Sequence, residues 1–250
     1  VKYLTICLTS AFLASCAVMK QQATGTEFTI TPKVNSQFVN VAGIVLHDRP
    51  VLQTSVTAAT PSGVYANIFH SVGLDDGDLD SNFGDEIDVA IGWSGDIAGL
   101  VTLDANVAYY DIHELFHMPQ GDIVVPYATL TRAWKLGNHT LKPRIQEWGF
   151  IPAYGDSGAA TSLTGLGLKH EWKIFDFLTL TQEADAKHDN GGSPDTDSGW
   201  LVDYSIGLSW PITEHITLEV PGFRAVVPLE EFSDGREVEC IGWGGFSAKF

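Results

Sequence analysis

Residues 200–210 read Trp200-Leu201-Val202-Asp203-Tyr204-Ser205-Ile206-Gly207-Leu208-Ser209-Trp210. Every second residue from Trp200 to Trp210 is apolar, and the residues between are mainly small or polar. A helix would scatter these positions around its axis, whereas a strand sorts them onto two faces. The apolar face carries a Trp at each end and aliphatic residues between. A membrane-spanning strand has this profile, because indole rings settle at the two lipid–water interfaces.

The same alternation recurs along the chain. Ile87, Val89, Ile91 and Trp93 oppose Glu86, Asp88, Ala90 and Gly92. Val101, Leu103, Ala105, Val107 and Tyr109 oppose Thr102, Asp104, Asn106, Ala108 and Tyr110. Leu178, Leu180 and Ala184 oppose Thr179, Thr181, Glu183 and Asp185, and Ile216, Leu218 and Val220 oppose Thr217 and Glu219. In residues 64–73 both faces carry polar groups, and the sequence leaves the outward face open. Strands are expected near 28–39, 51–60, 64–73, 86–94, 100–110, 122–135, 140–150, 162–172, 177–187, 199–210, 214–225 and 237–249. Short connections at 61–63, 94–99, 136–139, 173–176 and 211–213 alternate with longer ones at 40–50, 74–85, 111–121, 151–161, 188–198 and 226–236. An up-and-down transmembrane β-barrel has this rhythm, with tight turns at the periplasmic end and longer loops outside. The fold expected is all-β, antiparallel and of about twelve strands. Closure follows because open sheet edges have no water to bond in lipid. Pro32, Pro126, Pro143 and Pro221 each remove a ladder donor, so bulges or strand ends are expected there.

The chain has 250 residues with 31 acidic and 14 basic side chains, a formal net charge of -17. That balance argues against nucleic acid as a partner. Val1-Lys2-Tyr3 precedes an apolar run over residues 4–14 that is too short to span a bilayer and reads as an export signal. Leu13-Ala14-Ser15-Cys16 has the form of a lipoprotein processing site with Cys16 as the acylated residue. Ordinary cleavage beside Ser15 and Ala17 is the alternative. Residues 1–16 are thus read as signal, 17–27 as a short periplasmic segment, and 28–250 as one barrel domain. Of the three cysteines, Cys7 leaves with the signal, so a disulfide framework is not expected.

Five motifs stand in a definite order: Ser55-Val56-Thr57-Ala58-Ala59, Ser62-Gly63-Val64-Tyr65-Ala66, Gly84-Asp85-Glu86-Ile87-Asp88, Gly92-Trp93-Ser94-Gly95-Asp96 and Val107-Ala108-Tyr109-Tyr110-Asp111. Their arrangement resembles the TorF family of proteobacterial porins, over residues 50–112 and the C-terminal strand. The resemblance implies an outer-membrane barrel that serves as a channel. It supplies no catalytic or substrate-binding residues.

His70 and Ser71 are adjacent and belong to opposite faces of a strand, the wrong geometry for a nucleophile and its base. His113-Glu114-Leu115-Phe116-His117 satisfies the pattern of a zinc-protease helix, but Pro119 and Gly121 close it after one or two turns, and a third ligand is wanting. His113 and His117 are expected to give at most adventitious metal affinity. Asp75, Asp76, Asp78 and Asp80 lack the spacing of a calcium loop and suit at most weak Ca²⁺ or Mg²⁺ binding. No cofactor and no enzymatic activity are expected.

The functional expectation is a porin-like channel for small solutes or ions with a preference for cations. Its lumen would be lined by Glu86, Asp88, Asp104, Lys142, Arg144, Glu183, Asp185, Asp203 and Glu219. Trp93, Tyr109, Trp200, Trp210 and Phe250 form the expected aromatic girdle. Partners would be outer-membrane lipids, the permeating solutes and, during biogenesis, the barrel-assembly machinery. The alternatives are a structural or ligand-binding barrel without an open pore, and an exported soluble β-sandwich that binds a ligand. Interior pairing of charges, or the inward folding of loop 111–121, would favour the closed barrel.

Overall fold

The computed structural model describes residues 25–74, 86–112, 122–153, 160–191, 198–232 and 235–250. Twelve strands form one closed antiparallel barrel. They are β1 (Glu27–Asn35), β2 (Val51–Ala59), β3 (Val64–Gly73), β4 (Glu86–Ile97), β5 (Val101–Ile112) and β6 (Ile123–Thr131). The second half comprises β7 (His139–Pro152), β8 (Thr161–Phe175), β9 (Leu178–Asp189), β10 (Gly199–Pro211), β11 (Ile216–Pro228) and β12 (Glu239–Lys249). Each strand pairs with its neighbour in sequence, and β12 pairs with β1 from Thr29 opposite Lys249 to Asn35 opposite Trp243. That last ladder leaves no strand edge in the barrel.

The connections sort by length to the two ends. Tight turns join β2–β3, β4–β5, β8–β9 and β10–β11, and the long connections lie at the opposite rim. Phe28 and Phe250 exchange backbone bonds of 3.0 and 2.8 Å, which fixes both ends of the barrel at the tight-turn rim. The first strand ends at Asn35 rather than 39. Phe38–Val39 instead pairs with Val45–His47 in a separate small ribbon.

Two prolines behave differently. Pro143 sits in an unbroken register between β7 and β8, without the bulge its position suggested. On its other side it accepts from the Arg132 amide at 3.1 Å but has no N–H to return the bond. The strand assignment therefore lapses at Arg132 and Ala133 and resumes as Trp134–Leu136. Pro221, in contrast, lies within a register shift between Glu219 and Gly222. Below that bulge Glu219 faces the lumen, and above it Arg224 does, so the inward parity changes from odd to even residues.

The outer surface is apolar where a soluble protein would be wet. Ile91 is 66 % exposed, Ile145 56 % and Leu166 55 %. A continuous exposed apolar belt on a closed barrel is solvated by acyl chains. This exterior is that of a barrel seated in a lipid bilayer. Trp93 and Trp210 lie on it at the tight-turn rim, with Trp134, Trp172, Phe175 and Phe177. Phe177 packs on Phe175 at 5.3 Å and on Trp210 at 6.0 Å. Trp200 and Tyr109 mark the opposite rim. In β3, Val64 and Ile68 are exposed to lipid while Tyr65, Asn67 and Phe69 face inward, which settles the strand whose outward face the sequence left open.

Candidate functional site

The alternation that gives lipid one face of each strand gives the lumen the other. Glu86, Asp88, Arg144, Glu183, Asp185 and Asp203 line one interior cavity, Glu183 and Glu219 a second, and Asp88 and Asp104 a third. Lys142 borders none of these three cavities and makes a 2.8 Å ion pair with Glu171 on the neighbouring strand.

Along β7–β11 these charges are interleaved rather than opposed. Arg144 makes a two-pronged contact with Asp185 (2.9 Å from Nε, 2.6 Å from Nη2) and reaches Glu183 at 2.8 Å. Lys169 meets Glu183 at 2.9 Å. Asp203 holds Lys187 at 2.7 Å and Arg224 at 2.8 Å. Gln146 donates to Asp185 at 2.8 Å, and Lys33 pairs with Glu219 at 2.8 Å. Lys169–Glu183, Lys187–Asp203 and Arg224–Asp203 join neighbouring strands, whereas Arg144 reaches Glu183 and Asp185 over Gly167 of β8, and Lys33 reaches Glu219 over Gly245 of β12. The acidic groups expected from sequence stand, on this side, in a ladder of ion pairs. Lys33, Lys169, Lys187 and Arg224 were missing from that expectation.

The first long connection folds into the barrel. Its tip is built locally: the Asn40 side chain accepts from the amides of Ala42 and Ile44 at 3.0 and 2.9 Å, and Gly43 takes a φ of +83°. A left-handed residue at that point suits glycine alone without strain. Val39 then joins Leu201, Val226 and Ile241 in an apolar cluster on the inner face of β10–β12. Around that contact the wall's cations seize the loop backbone. Arg224 donates to the Val39 and Asn40 carbonyls at 2.7 and 3.0 Å, Lys187 to the Val41 carbonyl at 3.1 Å, and Arg236 to the Ala42 carbonyl at 2.8 Å. Arg236 is itself paired with Asp189 at 2.8 Å. Carbonyls carried into the interior need donors, and these three side chains supply them. The inward loop is therefore residues 36–50. Loop 111–121, the candidate suggested by sequence, lies largely outside the described residues, as do Cys16, Asp75, Asp76, Asp78, Asp80, His113 and His117.

Across the lumen a second apolar cluster of Ala108, Val125, Trp148 and Leu163 is flanked by Val41, Ala90, Tyr110 and Phe150. Between it and the loop lies a cavity of about 630 Å³. Two further cavities occupy the half nearer the tight turns. One, of about 430 Å³, is bounded by the charged ladder and Trp243. That indole lies flat against the wall, with Lys33 Nζ 4.4 Å from its ring centre. It can do so because residues 207 and 222 are glycines; a Cβ on Gly222 would stand 1.8 Å from the indole. The other, of about 560 Å³, runs along β3–β5 past Tyr65, Asp88, Asp104 and Tyr110. Here the Tyr65 hydroxyl donates to Asp104 at 2.7 Å and accepts from Asn106 at 2.9 Å.

No protein-family model and no curated protein sequence matches the chain. Solved structures do. The NanC porin superposes with a TM-score of 0.57 at 10 % identity, covering 89 % of this chain and 100 % of its own. The KdgM porin gives 0.55 at 9 % identity, with 89 % and 99 % covered. An outer membrane channel from Pseudomonas putida F1 gives 0.56 at 8 % identity, with 91 % and 96 % covered. At such identities the likeness is one of fold, and the fold is that of outer-membrane porins and channels.

Proposed function

We propose that this barrel is a narrow porin-like channel whose constriction is the inward loop 36–50, and that it passes small ions and solutes with a preference for cations. The observation that carries the reading is the loop itself, anchored through four carbonyls to Lys187, Arg224 and Arg236 inside a closed barrel. A twelve-stranded cylinder is wide enough for its loops and side chains to decide what passes. The charge preference follows from how the cations are engaged. The lysines and arginines of the β7–β12 wall sit in ion pairs, whereas Asp88 and Asp104 border a cavity that no lysine or arginine lines. Fixed carboxylates lining a passage attract cations and repel anions. On the order of its motifs we group the chain with the TorF-like porins, and we assign it no catalytic role. Its girdle would contact outer-membrane lipids, and the barrel-assembly machinery would insert it.

Planar-bilayer recording tests the proposal. Discrete current steps are expected, with a reversal potential in a salt gradient that shows cation preference. The preference should weaken in Glu86→Gln, Asp88→Asn and Asp104→Asn. Absence of steps across many insertions would leave a closed structural barrel as the better reading, which the anchored loop would then explain.

A further inference from the structure

The cavity along β3–β5 has a chemistry unlike the rest of the lumen. It is bordered by Asp88 at one end and Asp104 at the other, with Ala90, Ala108, Tyr110 and Tyr65 between them. Asn67, Asn106 and Thr57 add neutral polar groups, and no lysine or arginine lines it. In the β4–β5 register Asp88 opposes Tyr110 while Asp104 opposes Ser94. The two carboxylates are thus six residues apart along β4, about 20 Å at the rise of a strand. Asp88 and Tyr110 also border the larger cavity beneath the inward loop, so the groove continues toward the constriction.

We infer that this groove binds linear aliphatic polyamines. Such molecules repeat the groove's own order: an ammonium group, a run of methylenes, another ammonium. Each ammonium is a compact donor that a carboxylate accepts with charge assistance. Methylenes lie against the Ala90 and Ala108 methyl groups, and an inner ammonium gains from a tyrosine face. Hydrogen bonds of about 3 Å at each end leave a span that an extended chain of several amines fills and a short monoamine does not. Tyr65 positions the far carboxylate: its hydroxyl bonds Oδ1 of Asp104, held in turn by Asn106. The charged ladder across the lumen has its cations already spread among acids, and offers a polycation no comparable run of carboxylates.

The inference rests on the proposed solute-accessible lumen but not on measurable current. The experiment is calorimetric titration of the folded, detergent-solubilised protein with spermine, and with butylamine as a one-ended control. Saturable spermine binding is expected, weakened about tenfold or more in Asp104→Asn and in Asp88→Asn, with butylamine far weaker. Heat-modifiable migration checks that each variant is folded; should Asp104→Asn fail it, Ala90→Leu, which fills the middle of the groove, carries the same expectation. No saturable binding, equal binding by the variants, or equal binding of butylamine would overturn the inference. Potassium currents without spermine binding would leave the channel standing and remove the groove. Spermine binding without currents would do the reverse.

Discussion

Replacing Arg224 by glutamine would release the inward loop from its strongest anchor. The guanidinium donates to two loop carbonyls, at 2.7 and 3.0 Å, and to both oxygens of Asp203. A hydrogen bond from a charged donor contributes about 1.5–3 kcal/mol. The Arg224 side chain is 23 % exposed, so the lower end applies, and two lost bonds come to about 2–3 kcal/mol. At 1.4 kcal/mol per tenfold, the loop should open roughly thirty to a hundred times more often. The barrel should survive, because Asp203 keeps Lys187 at 2.7 Å and is not stranded. Hydrogen–deuterium exchange of peptides spanning residues 38–46 reads this opening directly. Lys142→Gln is the control, since it breaks an ion pair of the same ladder, with Glu171, that holds no part of the loop. Unchanged exchange over 38–46 in folded Arg224→Gln, or an equal rise in Lys142→Gln, would refute the idea that this arginine fastens the loop.

Other outcomes follow from the barrel and its packing. Boiled and unboiled samples should migrate differently on a gel and give strand-dominated circular dichroism; a chain soluble without detergent after signal removal would contradict the lipid-facing belt. Gly222→Val should sharply lower the yield of heat-modifiable protein, because a Cβ there would meet the Trp243 indole at 1.8 Å, whereas Gly242→Ala, with nothing nearby, should fold normally. Cys240 is exposed at the start of β12, on the rim of the long loops. A membrane-impermeant maleimide should therefore label it on intact cells, and labelling only after the outer membrane is breached would invert the assigned orientation.

Period-two alternation made most of the barrel legible, because a lipid-facing strand must segregate its side chains completely. Trp200–Trp210 showed this best, and Asp203 on its inner face is buried as that reading requires. The long–short rhythm of the connections likewise carried the topology. Phase was enough to find Lys169 and Lys187 too: Lys187 lies two residues beyond Asp185 on β9, and Lys169 opposes Glu183 on the neighbouring strand. Arg224 was hidden by a physical cause. The bulge around Pro221 changes the parity of β11, so counting from Glu219 points Arg224 the wrong way. The inward loop left only a compositional trace. Residues 38–46, Phe-Val-Asn-Val-Ala-Gly-Ile-Val-Leu, are far more apolar than a water-exposed loop needs to be. Recognition of a backbone carbonyl writes nothing into the side chains of the segment recognised, so its anchors could be found only in three dimensions.

That last property divides the freedom to change unevenly between the two partners. Every residue carries a carbonyl, so Val41 and Ala42 can be recast without costing the loop these hydrogen bonds, while Val39 is held to its type by the apolar cluster it enters. The donors Arg224, Lys187 and Arg236 have no such latitude. Descendants of this barrel could therefore alter what the loop presents to the passage, and with it which solutes are admitted, while the constriction stays where it is.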